Sequence, residues 1–390
     1  MKKKLVAIIL ALVLMTAALP VGAAFAASGD ITLIIDGNRQ SPSVPPRVVN
    51  GVTLVPLRII SETLGADVGW NSANRTATIT TAAYTVVFTI NSKDFTVNGA
   101  RKTLDEAPQI VDGSTLVPIR AFAESIGATV NYNASSRTAT IDYFTKMSGT
   151  LTISGSTTAQ PIAQAAADKL IGMNTGLSIT VSGGGSGTGI NDARSGSVHI
   201  GMSSRELTDT EMRTLNTYEI AKDAIALIVH PSNPVRNLTK DQARDIFTGA
   251  ITNWNQVGGN NAPIILMTRE TGSGTLSTLN DLLLGSGNSV ADRATPHASS
   301  ALMLQAVARD ANSIGFDSIG FVDGSVKALQ LNGTTPSAGS VNNGTYGMSR
   351  ALYVCTRGRA TGMTAIFIDY LRSLECQRSI VSREGYVPLV

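Results

Sequence analysis

Three segments rich in glycine, serine and threonine constrain the fold of this chain more than any other feature. They span residues 154–161, 182–189 and 268–275, and each lies between an apolar, strand-like run and a helix-like pattern. Glycine lets the backbone approach a ligand closely, and the helix that follows points unpaired N–H groups and a positive dipole end toward it. Arg269 in the third segment adds a planar set of donors that suits a tetrahedral oxyanion. Together the segments predict an anion-binding site rather than three ordinary turns.

Strand-like and helix-like patterns alternate from residue 149 onward. We predict strands at residues 151–154, 225–229 and 264–267, with a helix over residues 161–170. This alternation is typical of an α/β fold with mainly parallel sheets. Ligands of such folds bind beyond the carboxyl ends of the strands, which is where the glycine-rich segments fall.

The first third of the chain contains an internal repeat. Residues 48–80 recur as residues 110–142, with a strand, a tight turn, a short amphipathic helix and a second strand in each copy. The helices are predicted to begin after Pro56 and Pro118, because proline suits the first turn of a helix. One copy is too small to bury its own core, so the two copies are expected to pack together as a small duplicated α+β domain. We interpret two Arg–Glu pairs on these helices as exposed ion pairs of little energetic weight, namely Arg58–Glu62 and Arg120–Glu124.

The N-terminus has the pattern of a secretory signal peptide. Lysines at positions 2–4 precede an apolar run over residues 5–19 and a small-residue cleavage site at 24–26. We therefore expect an exported, extracellular protein. The predicted divisions of the chain are a signal peptide at 1–26, the duplicated domain at 27–147 and an anion-binding domain at 148–390.

Removal of the signal segment leaves no net charge. Three of the 31 basic residues lie in it, which leaves 28 basic against 28 acidic residues. A neutral balance gives no reason to expect nucleic acid as a partner.

Cysteines and histidines give no sign of a metal or a cofactor. The two cysteines, Cys355 and Cys376, are compatible with a disulfide in an exported protein and also with two separate buried thiols. The three histidines, His199, His230 and His297, lack the spacing of a zinc site. We predict no metal site and no cofactor.

The duplicated segment carries a recurring five-residue motif, Leu-Val-Pro-Leu-Arg at 54–58 and Leu-Val-Pro-Ile-Arg at 116–120. With this motif it resembles the stalk-like domain named after the N-terminal region of copper amine oxidases, which occurs on many exported proteins of Gram-positive bacteria. The resemblance implies a spacer or wall-proximal module at the cell envelope. It does not imply copper chemistry.

A second resemblance covers the chain from residue 149 to its C-terminus. The sequences GAITNWNQVGG at 249–259, IGMSSREL at 200–207 and REGYVPL at 383–389 resemble those of the phosphate-binding component of the bacterial phosphate ABC transporter. The first of these motifs is far more specific than a glycine-rich loop. The resemblance implies a two-lobed periplasmic-binding-protein fold, inorganic phosphate as the ligand and subunits of an ABC permease as partners.

The phosphate contacts of that family can be carried over residue by residue. They fall on Thr157, Thr158, Ser186, Ser204, Arg269, Ser273, Gly274 and Thr275. Residues so far apart in sequence converge only if two lobes close on the ligand from opposite sides. We expect the chain to cross between the lobes near residues 222–231 and 316–327.

Two acidic residues of the family pattern are missing. Well-known members have an aspartate at the position of Ser204, which accepts the proton of phosphate, and another acid at the position of Thr271. A hydroxyl also accepts a hydrogen bond, but it does not repel fully ionised sulfate. Glu206 and Glu270 are the candidates for a replacement carboxylate.

The sequence leaves more than one function open. The leading hypothesis is a non-catalytic receptor that binds inorganic phosphate and either delivers it to a permease or holds it at the wall. The alternatives are a binding protein for another tetrahedral oxyanion and an exported hydrolase of phosphate esters with a serine nucleophile. No histidine or lysine base stands beside a serine of the glycine-rich segments, which argues against the hydrolase and predicts no catalytic residue.

Overall fold

The computed structural model of the protein describes residues 31–390. The signal peptide predicted at residues 1–26 lies outside these residues. Residues 31–147 form a small unit, which we call the N-terminal module. Its strands and helices are β1 (Thr32–Ile35), β2 (Asn38–Gln40), β3 (Arg47–Val49), β4 (Val52–Pro56), α1 (Leu57–Thr63), β5 (Asp67–Asn71), β6 (Thr76–Thr80), β7 (Thr85–Thr89), β8 (Asp94–Val97), β9 (Ala100–Thr103), β10 (Gln109–Val111), β11 (Ser114–Pro118), α2 (Ile119–Ser125), β12 (Thr129–Asn133) and β13 (Thr138–Asp142).

The two copies of the repeat fold alike. In each copy a strand runs directly into a short helix, and a two-stranded hairpin follows. Helices α1 and α2 start directly after Pro56 and Pro118, whose φ angles of −61° and −58° suit a helix start. The two predicted ion pairs also form, with N–O distances of 3.6 Å for Arg58–Glu62 and 3.2 Å for Arg120–Glu124. The local structure predicted from the repeat is therefore confirmed.

Three small sheets hold the N-terminal module together. Their strand orders are β12-β13-β1-β2, β10-β11-β4-β3 and β5-β6-β7-β8-β9. The second sheet joins the two copies, because β11 pairs with β4 in antiparallel register, Leu116 opposite Pro56. In the first sheet β1 runs parallel to β13, so the first described strand pairs with the last strand of the second copy. These shared sheets explain why neither copy forms a module alone.

Residues 149–390 form two α/β lobes around one extended sheet. Its strand order is β15-β14-β16-β24-β17-β21-β19-β20, with β22 beside β17. The strands of this region are β14 (Gly149–Gly155), β15 (Leu177–Gly184), β16 (Ile200–Ser203), β17 (Leu215–Val229), β18 (Asn237–Leu238), β19 (Ile265–Arg269), β20 (Thr295–His297), β21 (Ser313–Ser318), β22 (Lys327–Ala328), β23 (Gln330–Leu331) and β24 (Ser349–Arg357). The helices are α3 (Gln160–Met173), α4 (Ser186–Ser195), α5 (Asp209–Met212), α6 (Lys240–Thr248), α7 (Gly274–Leu279), α8 (Ser300–Arg309), α9 (Ala338–Asn342), α10 (Gly362–Arg372) and α11 (Leu374–Cys376).

The strand pairs at the two ends of the extended sheet are parallel. Strand β14 runs parallel to β15 and β16 at one end, which we call lobe 1, and β19 runs parallel to β20 and β21 at the other end, which we call lobe 2. The long strands β17 and β24 between them are antiparallel to each other and to their outer neighbours. They carry the chain from one lobe to the other and back, which requires opposite directions. The predicted two-lobed α/β fold is confirmed.

Two separate hydrophobic cores define the lobes. In β17, Ala221 belongs to the core of lobe 1 and Ala224 to the core of lobe 2. The same change occurs around β24, where Met348 belongs to lobe 2 and Leu352 to lobe 1. The chain therefore crosses between the lobes within these two strands.

One of the two predicted crossings is wrong. The crossing expected near residues 222–231 falls within β17, but residues 316–327 remain in lobe 2. Phe316 and Val326 are both buried in the lobe 2 core. The return crossing is instead made by β24. This strand comes much later in the chain and pairs with β17 at the point where β17 crosses between the lobes.

A shared core attaches the N-terminal module to lobe 1. One continuous cluster of buried residues includes Phe122 of the module and Tyr370 of α10. Phe144, in the linking segment, contacts the Tyr370 ring edge-on with the ring centroids 5.1 Å apart. The Asn174 side chain accepts a hydrogen bond from the Met147 N–H (2.7 Å) and donates one to the Phe144 carbonyl (2.8 Å). The two parts therefore pack directly against each other.

The N-terminal module approaches lobe 1 closely at Gly65, just after α1. Its φ is +75°, and a Cβ atom there would overlap the carbonyl oxygen of Asp369 and lie 2.9 Å from the amide nitrogen of Ser373. The equivalent glycine of the second copy, Gly127, has a φ of +85° and no atom within 4 Å of such a Cβ. The first copy of the repeat therefore docks on lobe 1 through a glycine, and the second does not.

A buried carboxyl group lies in the same interface. Asp369 has no exposed surface, and it accepts hydrogen bonds from the Ala82 N–H and the Tyr143 hydroxyl, both at 2.7 Å. Burial raises the pKa of Asp369 to about 7, against the lowering effect of these two hydrogen bonds. The folded protein therefore favours the protonated form of this group over the acidic pH range.

We expect the Asp369 titration to lower the free energy of unfolding as the pH rises from about 4 to about 7. The pKa of this group is higher in the folded than in the unfolded protein, so its contribution to stability is complete below about pH 4 and is lost as the pH rises through about 7. Asp369→Asn keeps the size of the group and removes the titration. The difference in unfolding free energy between the two proteins should change by up to about 1.4 kcal/mol per pH unit in this range. Urea unfolding across the range measures it, and a difference that stays constant with pH would contradict the prediction.

The two cysteines are separate buried thiols. Cys355 lies in β24 and Cys376 in α11, both are free, and they belong to different buried clusters. Burial raises the pKa of the Cys355 thiol to about 12. Of the two arrangements that the sequence left open, the structure shows the free thiols.

Candidate anion site

A small closed cavity lies between the two lobes. About 120 Å³ of space lies between the atoms that line it, but no water-sized sphere fits there, so the two lobes meet closely at this point. The residues that line it are Ser156, Thr157, Thr158, Gly185, Ser186, Ser204, Arg269, Ser273, Gly274 and Thr275. This set contains all eight residues singled out from the sequence, with Ser156 and Gly185 in addition. The structure brings these residues together, and their contact with a ligand remains a prediction.

Each glycine-rich segment leads from the end of a strand into a helix, as predicted. Strand β14 continues through Ser156 toward α3, β15 continues through Gly185 into α4, and β19 leads to α7. Gly185 has a φ of +90°, and a Cβ atom there would lie 3.0 Å from the Gly272 carbonyl oxygen of the other lobe. Ser273 caps α7 by accepting a hydrogen bond from the Leu276 N–H at 3.2 Å. Glycine and hydroxyl residues are therefore required here both by the turns and by the closeness of the lobes.

Arg269 supplies the positive charge of the cavity, although only 3% of its surface is exposed. Its Nε donates to the His297 carbonyl at 3.1 Å, and its Nη1 donates to the Ser300 hydroxyl at 3.1 Å. Its Nη2 donates to the Thr157 hydroxyl at 3.0 Å and to the Ala298 carbonyl at 3.3 Å. These bonds fix the plane of the guanidinium, so a cation is held in one orientation at the cavity wall. Such a fixed, desolvated cation favours an anion.

The lobes are closed on the cavity. The Gly187 N–H donates to the Gly272 carbonyl at 3.0 Å, and the Thr158 and Thr275 hydroxyls lie 3.0 Å apart. On the far side of the cavity, the Thr278 hydroxyl donates to the carbonyl of Ser204 at 3.3 Å. Each of these bonds joins lobe 1 to lobe 2, so the cavity exists only while the lobes are together.

The two glutamates considered as replacements for the aspartate missing at Ser204 lie away from the cavity. Glu206 and Glu270 are exposed and do not line the cavity, and Thr271 is exposed as well. Asp317 at the end of β21 is fully buried instead, and its Oδ2 has no hydrogen-bond partner. Burial raises the pKa of Asp317 to about 6, opposed chiefly by the Arg269 guanidinium. An acid is therefore present near Arg269, and the signal for it was the single charged residue of a buried strand.

A second buried pair supports the wall of the cavity from the crossing strands. The Arg350 guanidinium of β24 lies 2.8 Å from the carboxylate of Asp223 in β17, and both are almost fully buried. Arg350 also donates to the Ser204 carbonyl at 3.0 Å, and Ser318 donates to Asp223 at 2.6 Å. Ser204 is thereby positioned by the strands that join the lobes. Sequence reasoning missed this pair, because its partners are far apart along the chain.

The fold and the cavity define a two-lobed binding protein, and comparison with known proteins agrees. A family model for the PBP superfamily domain matches residues 123–375. A model for the copper amine oxidase N-terminal domain matches residues 34–141. The chain therefore belongs to the periplasmic-binding-protein superfamily and carries a stalk-like module of the predicted type.

Individual relatives show which family of this superfamily the chain resembles. The phosphate-binding protein PstS of Bacillus subtilis is 36% identical over 248 residues, which cover 63% of this chain and 82% of the relative. A putative phosphate ABC transporter substrate-binding protein from Clostridium perfringens, solved with bound phosphate, is 35% identical with a TM-score of 0.60, and covers 62% of this chain and 100% of that one. An ABC-type phosphate transport receptor from Vibrio cholerae is 36% identical with a TM-score of 0.52, and covers 61% of this chain and 99% of that one. The chain belongs to the PstS family of phosphate-binding proteins.

Membership of this family makes the chain a binding protein rather than an enzyme, as the sequence predicted. The described residues that line the cavity include no histidine, lysine or acid that could serve as a base for one of the serines. Within residues 31–390, no group of three or more histidine, cysteine, aspartate and glutamate side chains is arranged to hold a metal ion.

Proposed function

We propose that this chain is an exported, non-catalytic receptor for inorganic phosphate. The observation that carries the proposal is the closed cavity, where seven serine and threonine hydroxyls surround one buried arginine. Hydroxyls both donate and accept, so they suit an oxyanion that still carries a proton at neutral pH. The phosphate-binding relatives support the same ligand.

The size of the cavity favours a free ion over a phosphate ester. The lining residues lie so close together that a small oxyanion fits with little opening of the lobes, whereas an ester would need further room for its alcohol group. Hydrogen bonds between the lobes limit that room. This argues against the hydrolase alternative.

Titration calorimetry of residues 27–390 with phosphate, arsenate, sulfate and molybdate tests the proposal. We expect one phosphate per chain, with a small organic phosphate ester as the matched negative control. The absence of phosphate binding, or tighter binding of the ester than of free phosphate, would rule the proposal out.

Selectivity should be weaker than in relatives with an aspartate at the position of Ser204. The Ser204 hydroxyl lies 3.3 Å from that of Ser186 and puts no negative charge against the ligand. Ser204→Asp should therefore lower the affinity for sulfate more than that for hydrogen phosphate, by several kcal/mol at most. Competition binding of sulfate against phosphate measures the change, with Ser204→Ala as the uncharged control. Complete exclusion of sulfate by the unchanged protein would show that the site is not permissive.

Anion affinity should rise as the pH falls through about 6. Asp317 is then protonated and no longer offsets the charge of Arg269. Asp317→Asn should bind phosphate several-fold more tightly than the unchanged protein at pH 7, and the two proteins should converge near pH 5. The ratio of their affinities isolates Asp317, because the protonation of phosphate itself affects both proteins equally. A ratio independent of pH would exclude this role.

We further propose the division of the chain at residues 26 and 147, with the first segment removed on export. Phosphate would be handed to an ABC permease, and the N-terminal module would keep the receptor at the cell envelope. The family and the matched stalk-like module support this arrangement. Within residues 31–390, no helix has the length and apolar character needed to cross a membrane.

A further inference from the structure

Two clefts of the N-terminal module are related by the internal repeat. In cleft 1, Trp70 and the Arg58–Glu62 pair face Ile110 on a hairpin of the other copy. Cleft 2 is lined by the equivalent residues of the repeat, which lie 62 positions away in the sequence. There Tyr132 and the Arg120–Glu124 pair face Val48. The volumes of the clefts are about 550 and 780 Å³, within the usual range of ligand-binding clefts. The duplication has therefore produced two equivalent concave surfaces.

The apolar groups of both clefts are exposed. Trp70 is 48% exposed and Tyr132 41%, while Val48 and Ile110 are 48% and 44% exposed. These four make up half of the eight large apolar side chains that are exposed in the described chain. Single exposed apolar residues are common, but here an aromatic and an aliphatic residue recur together at equivalent places. Such a repeated grouping indicates a binding surface.

The charges in the clefts are balanced. Arg58 and Glu62 are the charged side chains that line cleft 1, and cleft 2 adds Lys102 and Asp105 to its own Arg–Glu pair. Each cleft thus has as many cations as anions among its described lining residues. Serine and threonine hydroxyls on the facing hairpins supply further donors and acceptors. A neutral ligand with many hydroxyl groups matches this surface better than a polyanion or a polycation.

We propose that the two clefts bind a neutral sugar polymer, with one sugar ring against Trp70 in cleft 1 and another against Tyr132 in cleft 2. A sugar ring combines an apolar face of C–H groups with a rim of hydroxyls. The face packs on the negative face of an aromatic ring, and the hydroxyls bond to the Arg–Glu pair and the hairpin. Proline-rich peptides also use aromatic grooves, but they offer few donors for the paired charges. Two equivalent sites in one module suit a polymer of repeating units. Once one unit is bound, the other units of the same polymer are present at a high effective concentration near the second site.

Pull-down of residues 27–390 with insoluble chitin, cellulose and starch tests the proposal, with polyproline and dextran sulfate as competing ligand classes. We expect binding to at least one of the three glycans, a loss of about tenfold for Trp70→Ala or Tyr132→Ala, and no binding for the double variant. Trp70→Phe and Tyr132→Phe retain the ring and should bind. Met212→Ala, which removes an equally exposed apolar side chain (49%) from lobe 1, should be unchanged.

Fluorescence gives a second readout. The chain has two tryptophans, and Trp254 is only 2% exposed, so quenching by acrylamide reports chiefly on Trp70. Soluble oligomers of the glycan that binds should protect Trp70 from the quencher, while thermal unfolding followed by circular dichroism shows whether each variant is folded. Binding by none of the three glycans, unchanged binding by the double variant, or preference for polyproline or dextran sulfate would overturn the proposal. Phosphate binding is measured separately, so failure here leaves the proposed receptor function intact.

Discussion

Arg269→Ala should weaken phosphate binding by about 2 to 4 kcal/mol, or roughly 30- to 700-fold. The guanidinium is almost fully buried, and it is the charged group that lines the cavity in the described structure. Its loss removes a charge-assisted contact with the ligand and its hydrogen bond to the Ala298 carbonyl, while the His297 carbonyl keeps the Glu270 N–H as a donor. Asp317 would also lose the cation that offsets its charge. Calorimetric titration with phosphate measures the loss.

Two companion variants make the Arg269 result specific. Arg269→Lys keeps the charge but loses the planar arrangement of donors, so it should recover only part of the affinity. Arg309→Ala removes an exposed arginine at the end of α8 and should bind normally. Thermal unfolding of each variant shows whether it is folded. A change of less than about tenfold for Arg269→Ala in a folded protein would remove this residue from the site.

Gly274→Ala should prevent the lobes from closing and weaken phosphate binding by about 3 kcal/mol, or roughly 100-fold. A Cβ atom at Gly274 would overlap the Ser186 hydroxyl and lie 2.6 Å from the Ser204 hydroxyl, both in the opposite lobe. Gly274 is the first residue of α7 and does not have a positive φ, so lobe 2 itself should accept alanine. The clash therefore acts on closure rather than on folding.

Closure and affinity can be measured side by side for Gly274→Ala. X-ray scattering should show a radius of gyration that decreases with phosphate in the unchanged protein and stays large in the variant. Gly172→Ala, in α3 with open space around it, is the matched control. Tight phosphate binding by Gly274→Ala would mean that the lobes close on the ligand without bringing Gly274 against Ser186 and Ser204.

Local features of the fold were predictable from the sequence. The repeat predicted both helices after Pro56 and Pro118, since proline and the apolar pattern act over a few neighbouring residues. The glycine-rich segments predicted the strand–helix junctions around the cavity for the same reason. All eight predicted site residues line the cavity. They could be predicted as one site because the family resemblance showed which distant loops belong together.

Features that depend on distant pairing were not predictable. Asp317 could have been an ordinary buried acid, and only the folded chain shows it near Arg269. The Asp223–Arg350 pair joins two strands that are distant in sequence, and β24 rather than residues 316–327 makes the return crossing. No local pattern encodes which strand becomes the neighbour of another, so these contacts required the structure.

The N-terminal module docks on lobe 1 through Gly65, so the two equivalent glycines of the repeat differ in which side chains they could be replaced by. At Gly65 a side chain would meet both a left-handed backbone and the carbonyl of Asp369, whereas at Gly127 it would meet the backbone requirement alone. Asparagine, which tolerates such a backbone, is therefore acceptable at Gly127 and excluded at Gly65. Two segments that began as identical copies are thus no longer interchangeable. At this position the second copy leaves space for a side chain, whereas the first is restricted by a neighbour outside the repeat.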